Sequence, residues 1–168
     1  MWISNIHSRN LPIPTERAGE LIDSLASERD KLWPRRYWPA MKLDRPLSVG
    51  AAGGHGPIRY FASSYEPGHS ICFTFISPKG FKGTHGFKLT SNSPTSCTLT
   101  HSIEMSASGL PWLNWFLFIR PLHDALIEDS LRLAEQFADV ENPARKTWSP
   151  WVKCIRLLLK NKSLRNPI

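Results

Sequence analysis

Three histidines, His85, His101 and His123, each sit in a stretch whose neighbours on the same face are apolar. From Phe81 to Leu89 the odd positions carry Phe81, His85, Phe87 and Leu89; from Cys97 to Met105 they carry Cys97, Leu99, His101, Ile103 and Met105. Side chains two apart on a strand share a face, so both rings lie with the apolar residues, where imidazole needs a hydrogen-bond partner, a ligand or water. His123 joins them from a helical stripe described below. Imidazoles so gathered have three uses. They match the ligand set of a catalytic zinc, but HExxH and short-spaced ligand pairs are missing from the sequence, so neither metal nor cofactor is expected. A neutral imidazole also gives and takes a proton near pH 7, which suits acid/base work on a bound molecule. The third use is to hold the polar end of a guest, or trapped water, by hydrogen bonds alone.

The charged neighbours are weaker candidates. Arg120 flanks the helical stripe and either meets an anionic or carbonyl group of a ligand or pairs with Asp124 one turn on, or with Glu104. Asp124 follows His123 directly and points about 100° away on a helix, a poor position from which to orient it. Glu104 has the opposite strand parity to His101 and points away from any cavity. His55, between glycines, reads as a histidine standing in solvent. The Gly50 to Gly56 stretch fits no phosphate loop and reads as a flexible turn. There is no GxSxG element and no cysteine near a convincing base.

The elements that must position these residues are legible from periodicity. Residues 2 to 11 contain a short strand, and Thr15 caps a helix with Ala18, Leu21, Ile22 and Leu25 at helical spacing. Leu32 to Pro39, dense in Trp, Tyr, Pro and Arg, reads as an irregular packed cover. Strands follow over 47–52, 58–65, 70–76, 80–90 and 95–106, separated by turn-forming Gly, Pro, Asn and Ser clusters, as in an antiparallel meander. A last hairpin turning about Ser93 would set His85 opposite His101 and Phe87 opposite Leu99. Gly109 to Ala138 reads as a closing helix. Trp112, Trp115, Phe116, Ile119, Leu122, His123, Leu126, Ile127, Ala134 and Phe137 form its inner stripe, Glu128, Arg132 and Glu135 lie elsewhere, and Pro121 predicts a kink or break.

This α+β pattern resembles the helix-grip fold of the START and polyketide-cyclase-like (SRPBCC) superfamily over residues 2 to 138. Leu32-Trp33-Pro34 with Trp38-Pro39, Gly50, Gly53-Gly54-His55-Gly56 with Ile58-Arg59-Tyr60, Gly83-Thr84-His85, Thr100-His101 and Arg120-Pro121-Leu122-His123-Asp124 are similar to a bacterial subgroup of it. The resemblance implies a curved antiparallel sheet wrapped around a long C-terminal helix, with an internal apolar cavity for lipids, polyketides or aromatic metabolites, and a mouth bordered by turns such as Gly50 to Gly56, where His55 would gate entry. Carriers, sensors and enzymes share that fold, so it leaves the function open.

The chain of 168 residues suits one core, taken as 1–138, and a basic tail, 139–168. The net charge is +7, of which the tail holds +5: Arg145, Lys146, Lys153, Arg156, Lys160, Lys162 and Arg165 face only Asp139 and Glu141. The body is then near neutral, and no nucleic-acid partner is expected. No apolar run reaches the roughly 18 to 20 residues of a membrane span. With no leader pattern at the start and three cysteines lacking metal spacing, a cytoplasmic location with reduced thiols is expected. Within the tail, Trp148, Trp151, Val152, Ile155, Leu158 and Leu159 share one side of a helix opening at Ser149-Pro150. Residues 148–160 then either make peripheral contact with the inner membrane surface or dock on the domain or another chain.

Three functions remain open. The first is binding or carriage of a small hydrophobic metabolite, with Phe87, Leu99, Ile103, Phe116 and Ile119 as walls and His85, His101, His123 and Arg120 at its polar groups. The second is a cyclase, hydratase or isomerase using those histidines, with Arg120 steadying an enolate-like charge. The third is an interaction module working through the tail. Oligomeric state is not legible.

Overall fold

Alternating strands punctuated by turn residues give one sheet. In the computed structural model, which describes residues 1–143 and 147–165, with side chains as far as residue 159, the strands are β1 (Trp2–Leu11), β2 (Lys42–Leu43), β3 (Ala52–His55), β4 (Ile58–Glu66), β5 (Ser70–Ser77), β6 (Lys82–Ser93) and β7 (Ser96–Ser106). Arg145 and Lys146, and the side chains of Lys160, Lys162 and Arg165, all counted in the tail's charge, lie outside the described residues. The strands form a curved antiparallel sheet in the order β1-β7-β6-β5-β4-β3-β2. Helix α1 (Thr15–Asp23) packs against β6 and β7. The C-terminal rod runs as α2 (Leu110–Asn114), a π-helical turn (Trp115–Ile119) and α3 (Arg120–Phe137), and α4 (Pro150–Arg165) follows.

Two apolar clusters hold these layers together. In the larger, Leu11, Leu21, Ile22, Leu99 and Leu131 are fully buried between sheet, α1 and α3, each worth about 1.5–3 kcal/mol of burial. The smaller gathers Phe81, Met105 and Trp115 at the start of the rod. Between them the interior is hollow.

Four expectations are corrected here. Thr15 does not cap α1: Pro14 occupies the cap position, and the Thr15 hydroxyl is buried without a partner among the described residues. The strand expected over 47–52 lies further on, at β3, where the supposed turn glycines pair with both neighbours. A Cβ on Gly53 would collide with the Lys42 carbonyl and one on Gly54 with that of Ile58, so glycine is what lets β2, β3 and β4 pair there. The last hairpin turns one residue later, at Pro94-Thr95, with an irregularity between Ser91 and Ser93. His101 therefore pairs with Phe87 and His85 with Ile103, leaving the two histidines diagonal neighbours.

The rod is the fourth. Pro121 stands in the first turn of α3, the restart position expected for it, but the rod runs through it without a break. The preceding turn widens to the i→i+5 pattern, which relieves the ring's clash with the Leu117 carbonyl four residues back. Proline has no amide hydrogen for that carbonyl, and Trp151 Nε1 of α4 donates to it at 2.8 Å instead. Widening also shifts the helical phase. Phe116, placed inside by a uniform 100° count, is exposed and stacks on Trp112. Glu128 and Glu135, off the apolar stripe as expected, turn toward β1, each within an ion pair to Arg9.

Candidate functional site

The hollow between sheet and rod is a cavity of about 990 Å³. Phe73 and Phe75 of β5, Phe81 before β6, and Phe87 and Ile103 form its sheet wall; Trp115, Ile119, Leu122, Leu126 and Ile127 form the rod wall. Trp33 and Trp38, from the irregular cover, close a third side. The Trp33 indole donates to the Pro39 carbonyl at 2.9 Å and its ring lies 4.8 Å from that of His55. Over the mouth lies α4, with Ile155, Leu157 and Leu159 among the lining residues.

The three histidines meet in this cavity. His85 is layered against Phe73 and Phe75, ring centres 5.3 and 4.7 Å away, with Tyr60 edge-on at 4.7 Å. His101 lies 6.0 Å from His85 and 5.0 Å from His123. Nε2 of His85 and Nδ1 of both His101 and His123 are buried and have no hydrogen-bond partner among the described residues. Burial lowers the pKa of all three, so the rings are neutral near pH 7, each keeping one donor and one acceptor. His55 is not a solvent histidine: it lines the cavity, its Nδ1 is 3.0 Å from the Tyr60 hydroxyl, and burial pushes its pKa down to about 3.

Sequence reasoning missed a fifth imidazole, His7. On β1 the inward parity carries Asn5, His7 and Arg9, and His7 pairs across the ladder with His101, its ring 6.3 Å from that of His123. His7 Nε2 donates to Asp124 Oδ1 at 3.1 Å and Nδ1 to Glu128 Oε1 at 2.8 Å. The Asp124 bond is the main influence raising the His7 pKa; burial opposes it and Glu128 adds to it. Asn5 Nδ2 also donates to Asp124 Oδ1, at 3.0 Å, and Arg9 holds the other Glu128 oxygen at 2.6 Å. Burial alone would raise the Asp124 pKa, but His123, His7 and Asn5 around the carboxylate outweigh it and hold it well below the usual range. Asp124 Oδ1 is 3.7 Å from His123 Nδ1. One ligating atom from each of His7, His123 and Asp124 lies within 4.8 Å of the others, a grouping among the described residues that could hold a metal ion. The signal for β1 was the same period-two alternation that located His85 and His101.

No family model matches this sequence, and no curated protein matches it. Solved structures do. A protein of Thermobifida fusca is 14% identical, the match covering 86% of this chain and 99% of that one with a TM-score of 0.65. Norcoclaurine synthase of Thalictrum flavum, a point mutant bound to a transition-state analogue, is 11% identical over 84% of this chain and 98% of its own, TM-score 0.63. The di-domain ARO/CYC protein StfQ of the steffimycin biosynthetic pathway is 16% identical, TM-score 0.62, the match covering 83% of this chain and 51% of StfQ. The chain has the helix-grip fold. That is the architecture the resemblance to the SRPBCC superfamily implied, and at such identities the likeness carries the fold while the ligand must be argued from the residues.

Within the helix-grip cavity the expected site residues divide. His85, Phe87, His101, Ile103, Ile119 and His123 line it. Leu99 does not: in the observed register it pairs with Leu89 and is sealed in the solid core beside Leu11 and Cys97. Phe116 is turned out by the π-helical turn. Arg120 is half exposed, 3.6 Å from Asp124, so the expected ion pair with that carboxylate is the arrangement found, and Arg120 is not among the residues lining the cavity. Glu104 faces away as its parity demands, bonded to Trp2 and Ser4. Cys72, Cys97 and Cys154 are free.

Proposed function

We propose that this helix-grip protein binds a small, mostly apolar molecule in its cavity, with His85, His101 and His123 holding the polar end. One observation carries the reading: a hollow of about 990 Å³, walled by aromatic and aliphatic side chains, converges on the neutral imidazoles of His85 and His101, whose Nε2 and Nδ1 lack partners among the described residues. Pockets for drug-sized ligands run to about 300–1,000 Å³ and combine apolar walls with a few placed polar groups. The likeness to an ARO/CYC protein and to norcoclaurine synthase supports an aromatic or polyketide guest. Native mass spectrometry with solvent extraction should find a copurifying compound, and His101→Ala should weaken its rebinding about tenfold. A protein that purifies empty and takes up no aromatic, polyketide or fatty-acyl probe would end the proposal. Acid/base catalysis is the second reading, favoured by the approach of Asp124 to His123; lost turnover in His123→Gln with affinity kept would select it.

The tail supports a place where such a guest is exchanged. Val152 and Ile155 of α4 are buried against the domain, while Trp151, Leu157, Leu158 and Leu159 are exposed. They stand with Leu117 and Phe118 of the rod beside the mouth; Phe118 and Trp151 rings are 5.9 Å apart. Exposed apolar side chains on a segment of net charge +5 suit the surface of an anionic bilayer. Leu157→Glu with Leu158→Glu should abolish cosedimentation with phosphatidylserine vesicles and leave thermal stability unchanged. Equal sedimentation of wild type and variant would remove the lipid contact. Among the described residues no helix is long and apolar enough to cross a membrane.

A further inference from the structure

We propose that His7, His123 and Asp124 form a binding site for a divalent transition-metal ion, zinc in the first instance, at the seam between β1 and α3. The three residues come from positions as much as 117 apart in sequence, so no spacing motif announces them. His7 Nε2 and His123 Nδ1 stand 3.1 and 3.7 Å from the same Asp124 oxygen, and all three donor atoms lie within 4.8 Å of one another. Zinc bonds of about 2.0–2.2 Å put neighbouring donors roughly 3.0–3.5 Å apart, so small side-chain rotations close the set around one ion. The ion takes the place of the proton that His7 Nε2 shares with Asp124, and that proton leaves to solvent.

Three further observations belong to a metal site rather than to an ordinary ionic cluster. His123 Nδ1 is buried and without a hydrogen-bond partner, beyond hydrogen-bond reach of the carboxylate it faces. The other nitrogen of His7 donates to Glu128 at 2.8 Å, and Arg9 fixes Glu128 in turn at 2.6 Å. This carboxylate-histidine arrangement orients an imidazole for a metal on its far side. Asn5, only 7% exposed, steadies Asp124 through Nδ2 while its own Oδ1 has no partner. A route exists: Asp124 and Glu128 border a second cavity of about 220 Å³, against the segment Thr147–Val152. Two imidazoles and one carboxylate leave coordination positions for water, and the set of donors suits zinc, cobalt, nickel or iron over calcium or magnesium.

The test is titration of chelator-stripped full-length protein with Co(II). The expected result is a visible d–d absorption that saturates at one equivalent, carries no near-ultraviolet thiolate band, and is displaced by Zn(II). Glu128→Gln should weaken binding about 10- to 100-fold, the usual effect of removing an orienting partner, and His123→Gln should abolish it. Zn(II) should also shift the imidazole resonances of His7 and His123 in the wild-type NMR spectrum, a readout independent of how the variants fold. Absence of a saturable band, a thiolate band pointing to Cys72 or Cys154, or imidazole resonances unmoved at saturating zinc overturns the proposal.

Discussion

The sheet meets the rod in two places built on opposite chemistry. Along β5, β6 and β7 the inward parity is aromatic and aliphatic, and its imidazoles, His85 and His101, lie neutral among rings with unpaired nitrogens. Along β1 the same parity is Asn5, His7 and Arg9, and α3 answers with Asp124, Glu128 and Glu135. One wall opens on the large cavity, and the other is knit by ion pairs beside a cavity of about 220 Å³. Groups with partners, such as His7 and Glu128, stiffen the seam, whereas those without partners among the described residues, on either wall, mark where an outside molecule or ion completes the structure. Histidine serves both walls, and only its neighbours decide which role it takes.

Replacement of His7 is the strongest way to break this contrast. His7→Leu removes the bridge between Asp124 and Glu128 and leaves a largely buried carboxylate cluster short of a cation, so unfolding free energy in urea should fall by about 2–3 kcal/mol. The sign with pH follows from its raised pKa. The His7 contribution is fully present below the unfolded value of 6.5 and is lost as pH rises through the folded one, so the wild-type loss on the alkaline side should vanish in the variant. An unchanged urea midpoint would show that the seam is not what fastens β1 to α3.

His101→Leu sharpens the contrast from the cavity side with a smaller and opposite effect. Leucine removes a buried group that lacks a partner, and the ligand-free protein should gain about 1 kcal/mol at an unchanged m-value. His101 has a lowered pKa, so the unfolded chain takes a proton that the folded one refuses. Its presence costs stability progressively as pH falls below 6.5, and the variant should soften that acid limb. A destabilised variant would mean that the ring is already satisfied, and the cavity would lose its claim to an unfilled polar end.

Much of the frame was legible in the sequence because strand parity and helical period report a residue's side directly. They placed His85, Phe87, His101, Ile103, Ile119 and His123 on cavity faces. Parity does not report register: one residue of difference at Pro94-Thr95 moved Leu99 opposite Leu89. Period does not report a change of period, and Phe116 went outward where the rod adopts i→i+5 bonding ahead of Pro121. His7 went unread for a third reason. Its strand was recognised, yet the acids that give it meaning stand on a helix 117 and 121 positions later, a proximity that only the packing of α3 on β1 creates.

Pro121 has a consequence that reaches past its own helix. By withholding a hydrogen from the Leu117 carbonyl it leaves an acceptor free on the rod's outer surface, and Trp151 fastens α4 there while the Arg156 guanidinium lies 4.3 and 4.0 Å from the rings of Trp38 and Trp148. The cover of the cavity is thus tied to the rod by an indole hydrogen and to the aromatic cover by a planar cation, beside the buried Val152 and Ile155, and none of these ties involves a strand of the sheet.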